Sequence, residues 1–95
     1  MTKSELAQII ANRQNITLSD ANLALNGILN AITNTLSEQG RVEIRGFGVF
    51  GVTYRNARKG RNPAKGTLVD VPGKFVPRCK PGKDLAERVN EMGDN

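Results

Sequence analysis

Nine lysines and arginines fall within residues 55–83 (Arg55, Arg58, Lys59, Arg61, Lys65, Lys74, Arg78, Lys80 and Lys83), and a single acid, Asp70, stands among them. Cations clustered in this way suit a polyanion, because each phosphate they neutralise releases condensed counterions. The rest of the chain does not share the bias. Residues 1–54 balance Lys3, Arg13, Arg41 and Arg45 against Glu5, Asp20, Glu38 and Glu43, while residues 84–95 set Arg88 against Asp84, Glu87, Glu91 and Asp94. The net charge of +5 is therefore a strongly basic segment attached to a neutral body and an acidic tail. A solvated basic loop that serves only solubility is the plain alternative.

Other chemistry is poorly supplied. With no His there is no imidazole base or His metal ligand, and one Cys forms neither an internal disulfide nor a Cys-only zinc site. No nucleophile with a base partner and no paired carboxylates can be assembled, so no catalytic residue, metal, cofactor or small-molecule substrate is expected. Apolar runs are far shorter than the roughly 20 residues of a membrane span, and no signal peptide is seen. These absences predict a single cytoplasmic domain of 95 residues.

The elements that must position the cations follow from pattern. Thr2-Lys3-Ser4-Glu5 matches a capping box and predicts a helix over residues 3–13, with Leu6, Ile9 and Ile10 on its apolar face. Thr17, with Asp20 three residues on, predicts a second N-cap. The helix after it carries Ala21, Ala24, Leu25, Ile28, Leu29, Ala31, Ile32 and Leu36 on one wide stripe, opposite Asn22, Asn26, Asn30, Thr33 and Ser37, and Gly40 is expected to supply its left-handed stop. From Arg41 the period changes to two. Val42 and Ile44 alternate with Arg41, Glu43 and Arg45, Gly46-Phe47-Gly48 turns, and Phe50, Val52 and Tyr54 resume, which predicts an antiparallel hairpin over 41–55.

Residues 56–73 hold Gly60, Gly66, Gly73, Pro63 and Pro72 and few large apolar side chains, so this stretch must project. Val69, Val71 and Lys74-Phe75-Val76 favour a returning strand over a disordered loop, with turn residues at Arg61 to Gly66. The expected arm covers 55–78, on a body made of 1–54 and 79–92. Pro81-Gly82-Lys83-Asp84 then opens a short last helix. A body of roughly 70 residues rarely builds a sufficient core alone. The second helix's stripe is also wider than one short partner covers. Leu25, Ile28, Leu29, Ile32, Leu36, Phe47 and Phe50 are therefore assigned to a dimer core, and the fold class is α+β: a helix pair, a hairpin with a long β-ribbon arm and a short C-terminal helix, as an intertwined dimer.

Gly46-Phe47-Gly48-Val49-Phe50, Gly60-Arg61-Asn62-Pro63 and Lys80-Pro81-Gly82-Lys83, in that order and between the right element types, resemble the bacterial HU and integration host factor family of DNA-bending proteins over residues 1 to about 92. Val42-Glu43-Ile44-Arg45 and Lys74-Phe75-Val76-Pro77 look more like the integration host factor branch, whereas Asn15 to Leu18 is closer to HU length. The resemblance implies a dimer, with itself or with a paralogous subunit, whose arms wrap the minor groove of double-stranded DNA. Pro63 would be the wedge between base pairs. Arg55, Arg58, Lys59, Arg61, Asn62, Lys65 and Lys74 would line the arm against DNA, and Lys3, Arg78, Lys80 and Lys83 would hold phosphates on the body. Glu43 and Arg45 would contribute to site preference, or else form a cross-strand ion pair.

Cys79 stands where that family usually places a core phenylalanine. It is expected to be a buried filler beside a cavity costing about 2 to 4 kcal/mol. The function implied is architectural: bending DNA in the nucleoid in support of recombination, replication and transcription control. An HU-type homodimer without sequence preference is the alternative. A basic RNA-binding protein is more distant, because few aromatics are available to stack on bases.

Overall fold

The computed structural model describes residues 1–62 and 64–93. Its elements are α1 (Lys3–Gln14), α2 (Leu18–Ser37), β1 (Val42–Ile44), β2 (Gly48–Arg55), β3 (Arg58–Arg61), β4 (Leu68–Val71), β5 (Lys74–Pro81) and α3 (Lys83–Gly93). They divide into two compact units, Met1–Thr35 and Leu36–Asn95.

The helical unit begins as its capping residues dictate. Thr2 Oγ1 accepts from the Glu5 amide at 3.2 Å, satisfying one of the orphan donors of the first turn. α1 ends on Asn15 in the left-handed region (φ 54), which lets the Ile16 amide reach back to the Ala11 carbonyl at 3.1 Å. Thr17 caps α2 in the same way, accepting from the Asp20 amide at 3.0 Å. Ala7 and Ala11, one turn apart on α1, and Ala21 and Leu25, one turn apart on α2, are the buried apolar residues among those described. Small side chains let helix backbones approach closely, at the cost of a thin core. The α2 stripe is thus split: Leu25 is 4% exposed, while Ile28 at 55% and Leu29 at 41% stay open. The helix stop also differs from expectation, since Gln39 (φ 63), not Gly40, is left-handed, with its amide on the Leu36 carbonyl at 2.9 Å. The reversal is set by where that turn closes, and it tolerates a non-glycine at a cost of roughly 1–2 kcal/mol.

In the second unit β1, β2 and β5 form an antiparallel sheet in that order, and β3 and β4 form a separate two-stranded ribbon. The turn between β1 and β2 closes with Phe47 N–H on the Ile44 carbonyl at 2.9 Å and Gly46 at φ +83, a conformation that favours glycine. Beside it the start of α3 is tied in by the Gly82 amide, which donates to the Phe47 carbonyl at 2.8 Å. A Cβ on Gly48 would stand 2.8 Å from the Lys80 carbonyl oxygen, so only glycine admits this approach of strand to strand. β2 pairs with β5 from Gly48↔Pro81 to Arg55↔Lys74. Pairing then lapses at Asn56–Ala57 and Pro72–Gly73 and resumes between β3 and β4, so residues 74–78 are strand-paired with 51–55 and the separate ribbon begins at Arg58. α3 carries its charges as exposed i,i+4 pairs, Lys83 with Glu87 at 4.0 Å and Asp84 with Arg88 at 3.4 Å. No described helix is long and apolar enough to cross a membrane.

Candidate nucleic-acid interface

Register sorts the sheet's side chains by chemistry. Residues paired across an antiparallel ladder share a face, and neighbours along a strand alternate. One face therefore carries Val42, Ile44, Phe50, Val52, Tyr54, Phe75, Pro77 and Cys79. The other carries Glu43, Val49, Gly51, Thr53, Arg55, Lys74, Val76, Arg78 and Lys80. On the second face the cations rise around a floor of small residues. Val49, Gly51, Thr53, Arg78 and Lys80 line a shallow groove there. Arg55 and Lys74 stand directly opposite each other at the last rung, an arrangement that like charge makes unfavourable until an anion occupies it. Gly51 and Thr53 were not singled out in the sequence. The signal that marks them is the alternation along β2 of small residues with Phe50, Val52 and Tyr54.

At the break between sheet and ribbon, Arg55, Asn56, Arg58 and Lys74 surround a concavity with Val71 and Pro72. Tyr54 and Phe75 close the sheet's end on the apolar side, their ring centroids 5.0 Å apart. Gly73 lies under the Tyr54 hydroxyl, where a Cβ would stand 2.8 Å from ring Cζ and 3.1 Å from the Arg55 carbonyl.

The ribbon divides its cations between faces. Arg58 pairs with Val71 and Gly60 with Val69 on one side; Lys59 pairs with Asp70 and Arg61 with Leu68 on the other. Lys59 Nζ donates to Asp70 Oδ1, so one of the predicted DNA contacts has an internal acidic partner. Asn62 organises the tip. Its side-chain oxygen accepts from the amides of Ala64 at 2.9 Å and Lys65 at 3.4 Å, its carbonyl from Gly66, and its own amide donates to Thr67, both at 2.7 Å. Gly66 supplies the left-handed residue (φ +67). Lys65 is exposed in that turn, and Pro63, assigned above to the wedge, lies outside the described residues.

Lys3 is exposed in the first turn of α1, in the helical unit, and Lys83 opens α3. Arg45 is exposed in the β1–β2 turn. Glu43 does not form a cross-strand pair with it; the two lie two residues apart on one segment, and the residue across from Glu43 is Val49. Its ionic partner is Arg41, at 3.2 Å, in the segment that leads into β1, whereas Arg45 lies past the strand's end in the turn. Cys79 is likewise corrected: it is exposed, not a buried filler, since its apolar face is left open within the single chain. Of the other residues assigned to a dimer core, Ile32, Leu36 and Phe50 are half-buried and Phe47 is 46% exposed, its ring 6.3 Å from that of Phe50. No group of acids or cysteines that could hold a metal occurs among the described residues.

The family model described as bacterial DNA-binding protein matches residues 1–90. The integration host factor subunit beta of Marinobacter nauticus is 48% identical over 96% of this chain and 94% of its own, and that of Burkholderia multivorans is 53% identical over 95% and 85%. Among solved structures, an Anabaena HU–DNA cocrystal superposes with a TM-score of 0.89 at 34% identity, covering 94% of this chain and 97% of that one. HU from Thermotoga maritima gives 0.68 at 32% identity, covering 94% and 98%. These are architectural DNA-binding proteins, not enzymes. The agreement runs from the capped first helix through the ribbon to α3, and the chain belongs to the bacterial DNA-binding protein family, that of HU and integration host factor.

Proposed function

We propose that this DNA-binding protein works as a dimer that bends double-stranded DNA, receiving it on the basic face of the sheet and gripping its minor groove with two ribbons. The observation that carries this is the division of one three-stranded sheet into an apolar and a basic face, with a basic ribbon continuing from its end. The apolar face and the open side of α2 need a cover, and a second chain of the same fold, identical or paralogous, supplies one. Phosphates sit on Arg55, Lys74, Arg78 and Lys80 and on Lys83 at the start of α3, and Lys3, in the helical unit, holds another. Arg58, Arg61 and Lys65 enter the groove, where guanidinium groups reach base acceptors. Pro63 is the wedge: compact, apolar and without an amide donor, it replaces lost stacking and leaves no unmet hydrogen bond. Arg45, in the turn beside the basic face, reads groove shape, with Glu43 held by Arg41. The similarity to an HU–DNA cocrystal supports DNA as the ligand, and the relatives named integration host factor subunit beta support the architectural reading; the setting proposed for it is the nucleoid, in recombination, replication and transcription control.

Energy transfer between dyes on the ends of a duplex of about 30 base pairs tests it. Added protein brings the ends together, and Pro63→Ala binds with the same salt slope but shortens the distance less. A duplex that stays straight, or tighter binding to single-stranded RNA, overturns the proposal.

A further inference from the structure

We propose that Gly51 is itself a DNA contact: the bare peptide of β2 at this residue is the floor on which one sugar–phosphate strand of the duplex lies. This rests on the duplex being received on the basic face of the sheet, as proposed above. Glycine inside a strand is a destabilising choice, because it spends backbone entropy and packs nothing, and it suits places where another group comes too close for a side chain. The glycines within strands are Gly48, Gly51 and Gly60. A Cβ on Gly48 would stand 2.8 Å from the Lys80 carbonyl oxygen, and one on Gly60 2.8 Å from Val71 Cγ2, so at both positions the protein itself fills the space. A Cβ on Gly51 would meet nothing within 4 Å, and its backbone is ordinary strand that any residue adopts. Neither packing nor conformation in this chain asks for the glycine.

The surroundings indicate what fills that space. Gly51 stands opposite Arg78 in the β2–β5 ladder and shares a shallow groove with Arg78 and Lys80. β1 pairs with β2 only as far as Val42↔Phe50, so from Gly51 onward the edge of β2 away from β5 carries no strand. The one acid on this face, Glu43, stands across from Val49 and is held by Arg41. A floor without side chain, cations along one wall and an open opposite edge suit a linear polyanion that runs across the strand. A second chain belongs on the other, apolar face. Arg78 and Lys80 hold phosphates from the β5 side, the sugar between them settles on the Gly51 peptide, and any side chain there lifts the strand from its seat.

Two measurements on the full-length protein test this: the urea denaturation midpoint, and anisotropy of a labelled duplex titrated across a salt series. In Gly51→Ala the midpoint holds or rises, because the methyl enters open space and the unfolded chain loses freedom. Binding nonetheless weakens about tenfold, the order expected of one methyl forced into a close contact, and Gly51→Val weakens it further. The slope of log affinity against log salt stays as in wild type, since no cation is removed. A role confined to folding would move stability and affinity in the same direction. Wild-type affinity in Gly51→Val, or a midpoint that falls in Gly51→Ala, overturns the proposal. Arg78→Gln serves as the control: it flattens the salt slope when DNA lies on this face. Should it leave both slope and affinity unchanged, the basic face does not receive the duplex, and that reading falls together with the role of Gly51.

Discussion

Phe50 stands directly across the β2–β5 ladder from Cys79, on the apolar face of the sheet, with the ring of Phe47 6.3 Å away. Four rungs along on the same face, Tyr54 and Phe75 fill the equivalent positions with two rings. The thiol thus leaves a cross-strand aromatic pair half made. Cys79→Phe completes it and is expected to stabilise the protein by about 1 kcal/mol, from a cross-strand aromatic contact and added apolar burial in the proposed dimer. A urea denaturation midpoint that moves up checks this; one that moves down shows the site to be filled already by the second chain.

Ile28 is the clearest probe of that second chain. At 55% exposure it has little to lose within one protomer. Ile28→Glu is therefore expected to abolish the dimer, because burying an unpaired carboxylate costs several kcal/mol, and to lower helical content with it, since the single chain has only a thin core. Sedimentation equilibrium of wild type and variant decides it, and an unchanged mass for the variant removes α2 from the interface.

Gly73 and Tyr54 make the joint between sheet and ribbon specific. Gly73→Ala forces the Tyr54 ring to shift, because a Cβ there would lie 2.8 Å from ring Cζ. Overpacking of this kind costs about 1–3 kcal/mol. The loss should shrink when Tyr54→Ala is made first, and an additive double-mutant cycle would show that the two residues do not meet.

Asn62 separates ribbon geometry from ribbon charge. Asn62→Ala removes the acceptor for the Ala64 and Lys65 amides and with it the hold on the tip turn. Since no charge changes, the salt slope of DNA binding should stay as in wild type while end-to-end shortening of the duplex diminishes. An equal loss of bending and of slope would contradict this assignment.

The helical unit rests on its caps. Thr17→Ala takes the acceptor from the Asp20 amide and is expected to cost about 1 kcal/mol, read as a lower denaturation midpoint. Thr17→Ser keeps the oxygen and should recover most of it.

Much of this was legible in residues 1–95 alone. Both helix starts are written in Thr2 and Thr17, whose hydroxyls bond locally. The change of period at Arg41 marks the sheet, and the crowding of cations after Tyr54 marks the polyanion surface, because charge and period are properties of the chain before it folds. What the sequence left open depends on register and on which faces are covered. Which ribbon cation stands across from Asp70 and which residue faces Cys79 are settled by partners up to about 30 residues apart in sequence, such as Phe50 and Cys79. Gln39 rather than Gly40 takes the left-handed turn for the same kind of reason, since a hydrogen bond to Leu36 outweighs local preference. Composition and period determined the elements and the charge; only the tertiary structure, by fixing the ladder, decided which charges stand opposite one another and which stay open to solvent.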